Sequence, residues 1–400
     1  MKRLGPWLLP VVALGLAGVL LAPRPGAADD RARRPLVDEP TRKAVDRGLR
    51  FLARAQNPDG SWTSDAGNKV NEDYSVAPGG KDVPHVGVTA LAILGFLAAG
   101  HVPGRGPYGD VVDRAVEFLL SRVNDDGFIA ADGTRMYSHA FATLALAEVY
   151  GMSRAPRLRE KLQSAIELTV KCQNATGGWR YVPFTVDSDM SVTVCQVVAL
   201  RAAMNVGIKV PQDTVDRALR YVIDSVITDA RRSPEEEIGA FYYQPSNTRW
   251  NRSSFPLTAA GLTTLFQAGI YDDQALLRYM ERHGIQKKPA PELDRTLAYL
   301  ERTYGAMRNQ YARHYFFYYG NYYAAQAMYN VGGLEPARWE RWYDRVRVDL
   351  LSLEQKGTAP GSREEVGWWQ SNVGDTHTFA TAVAILILSM PFDYLPIHQK

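Results

Sequence analysis

Cysteine is scarce in this chain of 400 residues: Cys172 and Cys195 are the whole supply. With no CxxC spacing they form no structural zinc pattern. Both fall inside helical patterns, where a buried thiol packs as a small hydrophobe, so their pairing stays open. A surplus of one charge sign is missing too. The formal net charge is +3, and no basic stripe alternates with aromatics, which excludes nucleic acid as a partner. Alternating strand patterns are nearly absent. After the N-terminal segment every apolar run is soon broken by polar residues, so no later stretch reads as membrane-spanning. No HExxH-like spacing occurs, and the reading carries no metal and no cofactor.

The N-terminus is the exception to the lack of long apolar runs. Lys2 and Arg3 precede LGPWLLPVVALGLAGVLLA, and PRPGAADD follows. A basic start, an apolar core and a small-residue site at Gly26-Ala27-Ala28 describe a secretory signal. The apolar part is also long enough to serve as an uncleaved anchor. The expected organisation is therefore a signal over 1–28, a linker over 29–40 and one folded unit over 41–395. The protein is expected to be exported, either free or tethered, and the segment allows association with a membrane surface.

Beyond that point the chain repeats itself. QNPDGSW (Gln56 to Trp62) is echoed by CQNATGGWRY (Cys172 to Tyr181), and more loosely by NDDGF, IGAFYY and VGWWQ. Amphipathic segments precede these turns, with apolar stripes such as Leu158, Leu162, Ile166 and Val170. Segments that are apolar all round follow them, among them GVTALAILGFLAAG, SVTVCQVVALRAAMNVG and HTFATAVAILILSM. The first kind keeps one face in water; the second is buried on every side. Six of each pack most economically as an all-α (α/α)6 toroid, with the buried six as an inner ring inside the amphipathic six. An open solenoid would leave the greasy last helix uncapped. Each inner helix is reached by the same step, so all six are expected to start at one mouth and aim their positive dipole ends there.

The turns resemble the QW-type repeats of squalene-hopene cyclases, and the helix pairs are similar to the α/α toroid shared by terpenoid cyclases and protein prenyltransferases. The likeness spans about residues 40–395. It implies an isoprenoid-like ligand and, from the cyclase DxDD motif, an acidic role for Asp189 in DSDM, where Met190 replaces the last acid. From the prenyltransferase zinc set, Asp189 and His377 match but Ser191 stands in place of the cysteine, which removes zinc catalysis of that kind. A thioester sequence of the GCGEQ type, found in other toroids, is missing.

Asp187 and Asp189 then have three readings. They cap a helix; or Asp189 is a general acid tuned by Asp187 and His377; or the mouth acids and histidines hold a metal or polar group. The candidate catalytic set is Asp189, Asp187 and His377. The candidate ligand-binding set is His139, Asp375, Trp179, Tyr181, Tyr242, Tyr318, Tyr322, Trp368 and Trp369, chosen for aromatic faces or a place at a helix start. The aromatic turns also read as ties between neighbouring helix pairs. The expected partner is a hydrophobic small molecule or a glycan. The leading expectation is a cyclase-like protein that binds or acts on an isoprenoid-like ligand; the alternatives are a non-catalytic binding scaffold and a carbohydrate-active toroid.

Overall fold

The computed structural model describes residues 36–398 apart from 71–72, 232 and 246–251. The N-terminal segment read as a signal or anchor lies outside them. In chain order the helices are α1 (Glu39–Ala55), α2 (Val86–Ala98), α3 (Gly109–Ser121), α4 (Met136–Ser153), α5 (Pro156–Lys171), α6 (Met190–Asn205) and α7 (Gln212–Asp224). They continue with α8 (Phe255–Gln267), α9 (Asp273–Arg282), α10 (Leu293–Tyr311), α11 (Tyr315–Val331), α12 (Pro336–Leu353) and α13 (Thr378–Ser389).

The inner ring is α2, α4, α6, α8, α11 and α13, and it closes. Each packs on the next, and α13 returns to α2. Their sequences explain the placement: every described residue of α2 and of α8 is buried, because neither helix has a polar face to give to water. Outside them α1, α3, α5, α7, α10 and α12 each sit in the groove between two inner helices. The short helix α9 is an addition that the periodicity did not announce; it buries Leu276 and Met280 and leaves the rest at the surface.

The Gly-aromatic turns act as stitches. Trp62, Trp179 and Trp369 are buried, and their indole Nε1 atoms donate to the carbonyls of Leu52, Thr169 and Leu350 in the preceding outer helix, at 2.8, 2.8 and 2.7 Å. Their backbone amides donate to the hydroxyls of Thr89, Thr193 and Thr381 in the following inner helix, at 3.0, 3.1 and 3.1 Å. Phe241 repeats the second bond with Thr258. The glycine two residues before Trp179 has φ +91°, and a Cβ there would meet the Arg217 carbonyl oxygen at 2.3 Å. Only glycine tolerates that backbone and that approach.

Sheet is limited to three two-stranded pairs among the described residues: β1 (Thr63–Ser64), β2 (Gly67–Val70), β3 (Asp73–Val76), β4 (Val83–Pro84), β5 (Gln355–Thr358) and β6 (Glu365–Trp368), paired β1–β4, β2–β3 and β5–β6. At the other end, the C-terminal turn Pro396–His398 packs against α4, α6 and α11 beneath the ring. Cys172 and Cys195 are both free and buried. No described helix is long and apolar enough to cross a membrane.

Candidate functional site

The starts of all six inner helices meet around a cavity with two adjoining lobes of about 140 and 200 Å³. Tyr137, Tyr181, Tyr315 and Tyr319 line both. The first lobe is floored by Val88, Leu91, Phe141 and Phe379, and the hairpin β2–β3 supplies Asn68 and Tyr74 at its edge. The second adds Ser191, Tyr243, Arg252 and Phe316. Among the described residues no aspartate or glutamate lines either lobe.

Asp189 lies just behind this wall with a side chain 0% exposed. It caps α6: Oδ1 accepts the Val192 amide at 3.0 Å and the Ser191 hydroxyl at 2.6 Å. Arg180 Nη1 approaches Oδ2 at 3.2 Å, and Arg180 Nε pairs with Asp187, which is 55% exposed, at 3.4 Å. Burial pushes the Asp189 carboxyl above the usual aspartate range, opposed by the Ser191 and Val192 hydrogen bonds and by Arg180. The two acids are thus a cap and an arginine clamp. The arrangement also makes a path: Tyr137 Oη donates to Ser191 Oγ at 2.5 Å, and Ser191 donates to Asp189. A proton taken from a ligand by Tyr137 can be matched by Tyr137's own proton passing to Ser191, and by that of Ser191 passing to Asp189. Burial holds the Tyr137 phenol well above its ordinary value, so it rests protonated.

Arg180 lies over the rings of Tyr181 and Tyr243, its guanidinium carbon 4.7 and 5.7 Å from their centres. The hydroxyls of those two tyrosines meet at 2.5 Å. Tyr181, expected at the site, is there; Tyr137, Tyr243, Tyr315 and Tyr319 join it from outside the expected ligand-binding set, Tyr315 and Tyr319 from the aromatic run Arg313 to Tyr323.

The other sequence candidates lie elsewhere, which corrects their assignment to the cavity. His139 Nδ1 accepts the Ile129 amide at 3.1 Å and Nε2 meets Thr169 Oγ1 at 2.9 Å, so it fills the place threonine holds in the other stitches. Burial lowers it to about 4. Trp179 and Trp369 are spent on the stitches. Tyr318 is buried against Phe317 and Phe379, Tyr322 packs edge-on to Phe141 from below, and the Tyr242 hydroxyl pairs with Ser233 at 2.5 Å. Trp368 stacks between Phe51 and His377 on the rim.

His377 takes a left-handed backbone (φ +61°) at the start of α13, and burial holds its imidazole below the usual value. It begins the helix across the ring from α6, so it does not touch Asp189. Asp375 is 91% exposed and pairs with Lys81 at 3.0 Å. Among the described residues no group of three or more His, Cys, Asp or Glu could hold a metal ion.

No family model matches the chain, and no curated protein matches it in sequence. Solved structures do match in fold. A cellobiose 2-epimerase from Spirochaeta thermophila superposes with a TM-score of 0.56 at 14% identity, covering 89% of this chain and 96% of its own. An inactive variant of an α-1,6-mannanase of Salegentibacter, in complex with α-1,6-mannotriose, gives 0.54 at 9% identity, covering 88% and 99%. A type II terpene cyclase from Scytonema reaches 0.48 at 12% identity, covering 89% and 98%, a likeness too loose to bear on function. The chain has the (α/α)6 toroid fold.

Proposed function

We propose that this toroid binds a small amphipathic, isoprenoid-like molecule in the mouth cavity, its apolar body against Leu91, Phe141 and Phe379 and its polar end among the tyrosines. The observation that carries this is the make-up of the cavity: its wall is mostly carbon, with a few tyrosine hydroxyls converging on it. Such concave, mostly apolar sites with a few convergent polar groups suit small molecules. Asp189 is too enclosed to meet the ligand, so it acts through Ser191 and Tyr137 wherever a proton is exchanged.

A glycan is the second reading, favoured by the tyrosine faces and by the sugars named for the epimerase and the mannanase. Glycoside hydrolysis needs two carboxylates flanking the bond, and among the described residues none lines the lobes. The test is equilibrium binding of farnesol and of cellobiose to the full chain, followed by intrinsic fluorescence, with Leu91→Trp to fill the floor. Farnesol binding that Leu91→Trp abolishes supports the proposal. Cellobiose binding without farnesol binding transfers the site to the glycan reading, and binding of neither overturns both.

A further inference from the structure

We infer that the polar end of the ligand is an oxyanion, a carboxylate, phosphate or sulfate, seated at the start of α4; this rests on the binding role proposed for the mouth. Four inner helices begin with a side chain that accepts a first-turn amide: His85, Asp189, Ser254 and His314. Helix α4 begins instead with Arg135, which makes no capping bond. A guanidinium has donors only, and its charge has the wrong sign for the positive end of a helix. Placing one there is unfavourable unless an anion shares the position.

Arg135 lines the first lobe and is half-buried; its hydrogen bond among the described residues goes to the neutral Asn68 Oδ1, and no described carboxylate pairs with it. An arginine without a counter-ion beside an apolar floor is an open half of a charge pair.

Ser138 is the independent sign. It is 4% exposed, lines the same lobe, and its hydroxyl makes no hydrogen bond among the described residues. Unlike the fully enclosed hydroxyls of Thr143 and Ser389, its oxygen opens on the lobe, where a ligand can meet it. Its amide also belongs to the first turn, whose donors have no carbonyl within the helix. Directly beside Ser138 on α2 is Gly87, where a Cβ would lie 2.7 Å from Ser138 Oγ; any larger residue there would cover that oxygen. Cation, hydroxyl and helix end together complement an oxyanion, the recognition that helix N-termini give to phosphates and carboxylates.

The test compares dodecanoate with dodecanol at neutral pH on the full chain, alongside glucuronate and inorganic phosphate, in wild type, Arg135→Gln, Arg135→Lys and Ser138→Ala. Dodecanoate is expected to bind roughly tenfold or more tighter than dodecanol, since charge-assisted bonds are the strong ones. Arg135→Gln should erase that preference, Arg135→Lys keep part of it, and Ser138→Ala reduce it. Without ligand, Arg135→Gln should raise the melting temperature, because a misplaced charge is gone. Equal binding of the acid and the alcohol, or a preference that survives Arg135→Gln, overturns the oxyanion while leaving the apolar reading in place. Arg135-dependent binding of glucuronate or phosphate with neither chain compound bound supports the oxyanion and rejects the apolar body. Binding of none of the four overturns both.

Discussion

The clearest quantitative consequence of the fold lies at the end of the ring opposite the mouth. Glu148 on α4 is 1% exposed, takes a backbone hydrogen bond from Ile397, and has a buried Oε2 with no hydrogen-bond partner. Burial pushes this carboxyl from 4.5 up to about 8. The folded state therefore holds a proton that the unfolded chain releases at lower pH. The stability linked to it is fully present below about pH 4.5, declines as pH rises, and is gone above about pH 8. At 1.36 kcal/mol per unit the whole window is worth about 5 kcal/mol, and about 3 kcal/mol is already lost by pH 7. Glu148→Gln keeps the shape and the acceptor but cannot ionise. It should match wild type near pH 4.5 and exceed it by about 3 kcal/mol at pH 7 and about 5 at pH 9. For a folded unit of this size the gains correspond to roughly 4 and 6 °C. Calorimetry or denaturant titration at the three pH values reads the difference between the two proteins, which cancels every other carboxyl. Parallel pH profiles would refute the reasoning, and with it the reading of Glu148 as an enclosed acid that stays protonated in the folded state.

Three further outcomes follow from single contacts. Thr193→Val keeps the shape but leaves the buried Trp179 amide without its acceptor, and should lower stability by about 1–3 kcal/mol in urea titration. Arg47 and Glu354 form a two-pronged pair at 2.7 and 2.7 Å where α1 meets the end of α12. Arg47→Met leaves a carboxylate 1% exposed beside Lys356 alone and should cost about 3–5 kcal/mol, whereas Arg47→Met combined with Glu354→Leu should recover most of the loss in a double-mutant cycle. Asp189→Asn retains a capping oxygen and should change stability by about 1 kcal/mol, while Asp189→Ala also loses the cap and should cost about 1–2 kcal/mol more; equal losses in thermal melts would show that the charge, not the cap, holds α6.

The ring was legible in the sequence because its cause is coarse. A helix apolar on every face can only be inside, and one with a stripe can only be outside, so alternation of the two kinds dictates two concentric layers. That α9 escaped notice has the same cause: its two buried residues, Leu276 and Met280, make too short a stripe to be read. The site was less legible because its placement depends on single-residue register at the helix starts, and apolar content carries no register. His139, Tyr318 and the tryptophans were chosen by residue type, which says nothing about the face on which a side chain emerges.

That register obeys one rule. Two residues past the cap, the six inner helices carry Gly87, Tyr137, Ser191, Pro256, Phe316 and Phe379, and all six line the cavity. Four residues past it they carry Thr89, His139, Thr193, Thr258, Tyr318 and Thr381, of which all but Tyr318 hold an amide of the preceding turn. At about 100° per residue the two positions differ by about 200°, opposite sides of the helix. The repeated threonine thus marks the outward face, and the variable residue two places earlier marks the inward one. Variation on the inner position leaves the stitches intact, so the ring can change its cavity without changing its fold. Asp189 is the exception, a cap that touches both systems: it fixes the start of α6 through Val192 and reaches the cavity through Ser191. Its enclosure by the fold is what leaves Tyr137, and not the carboxylate, facing the cavity.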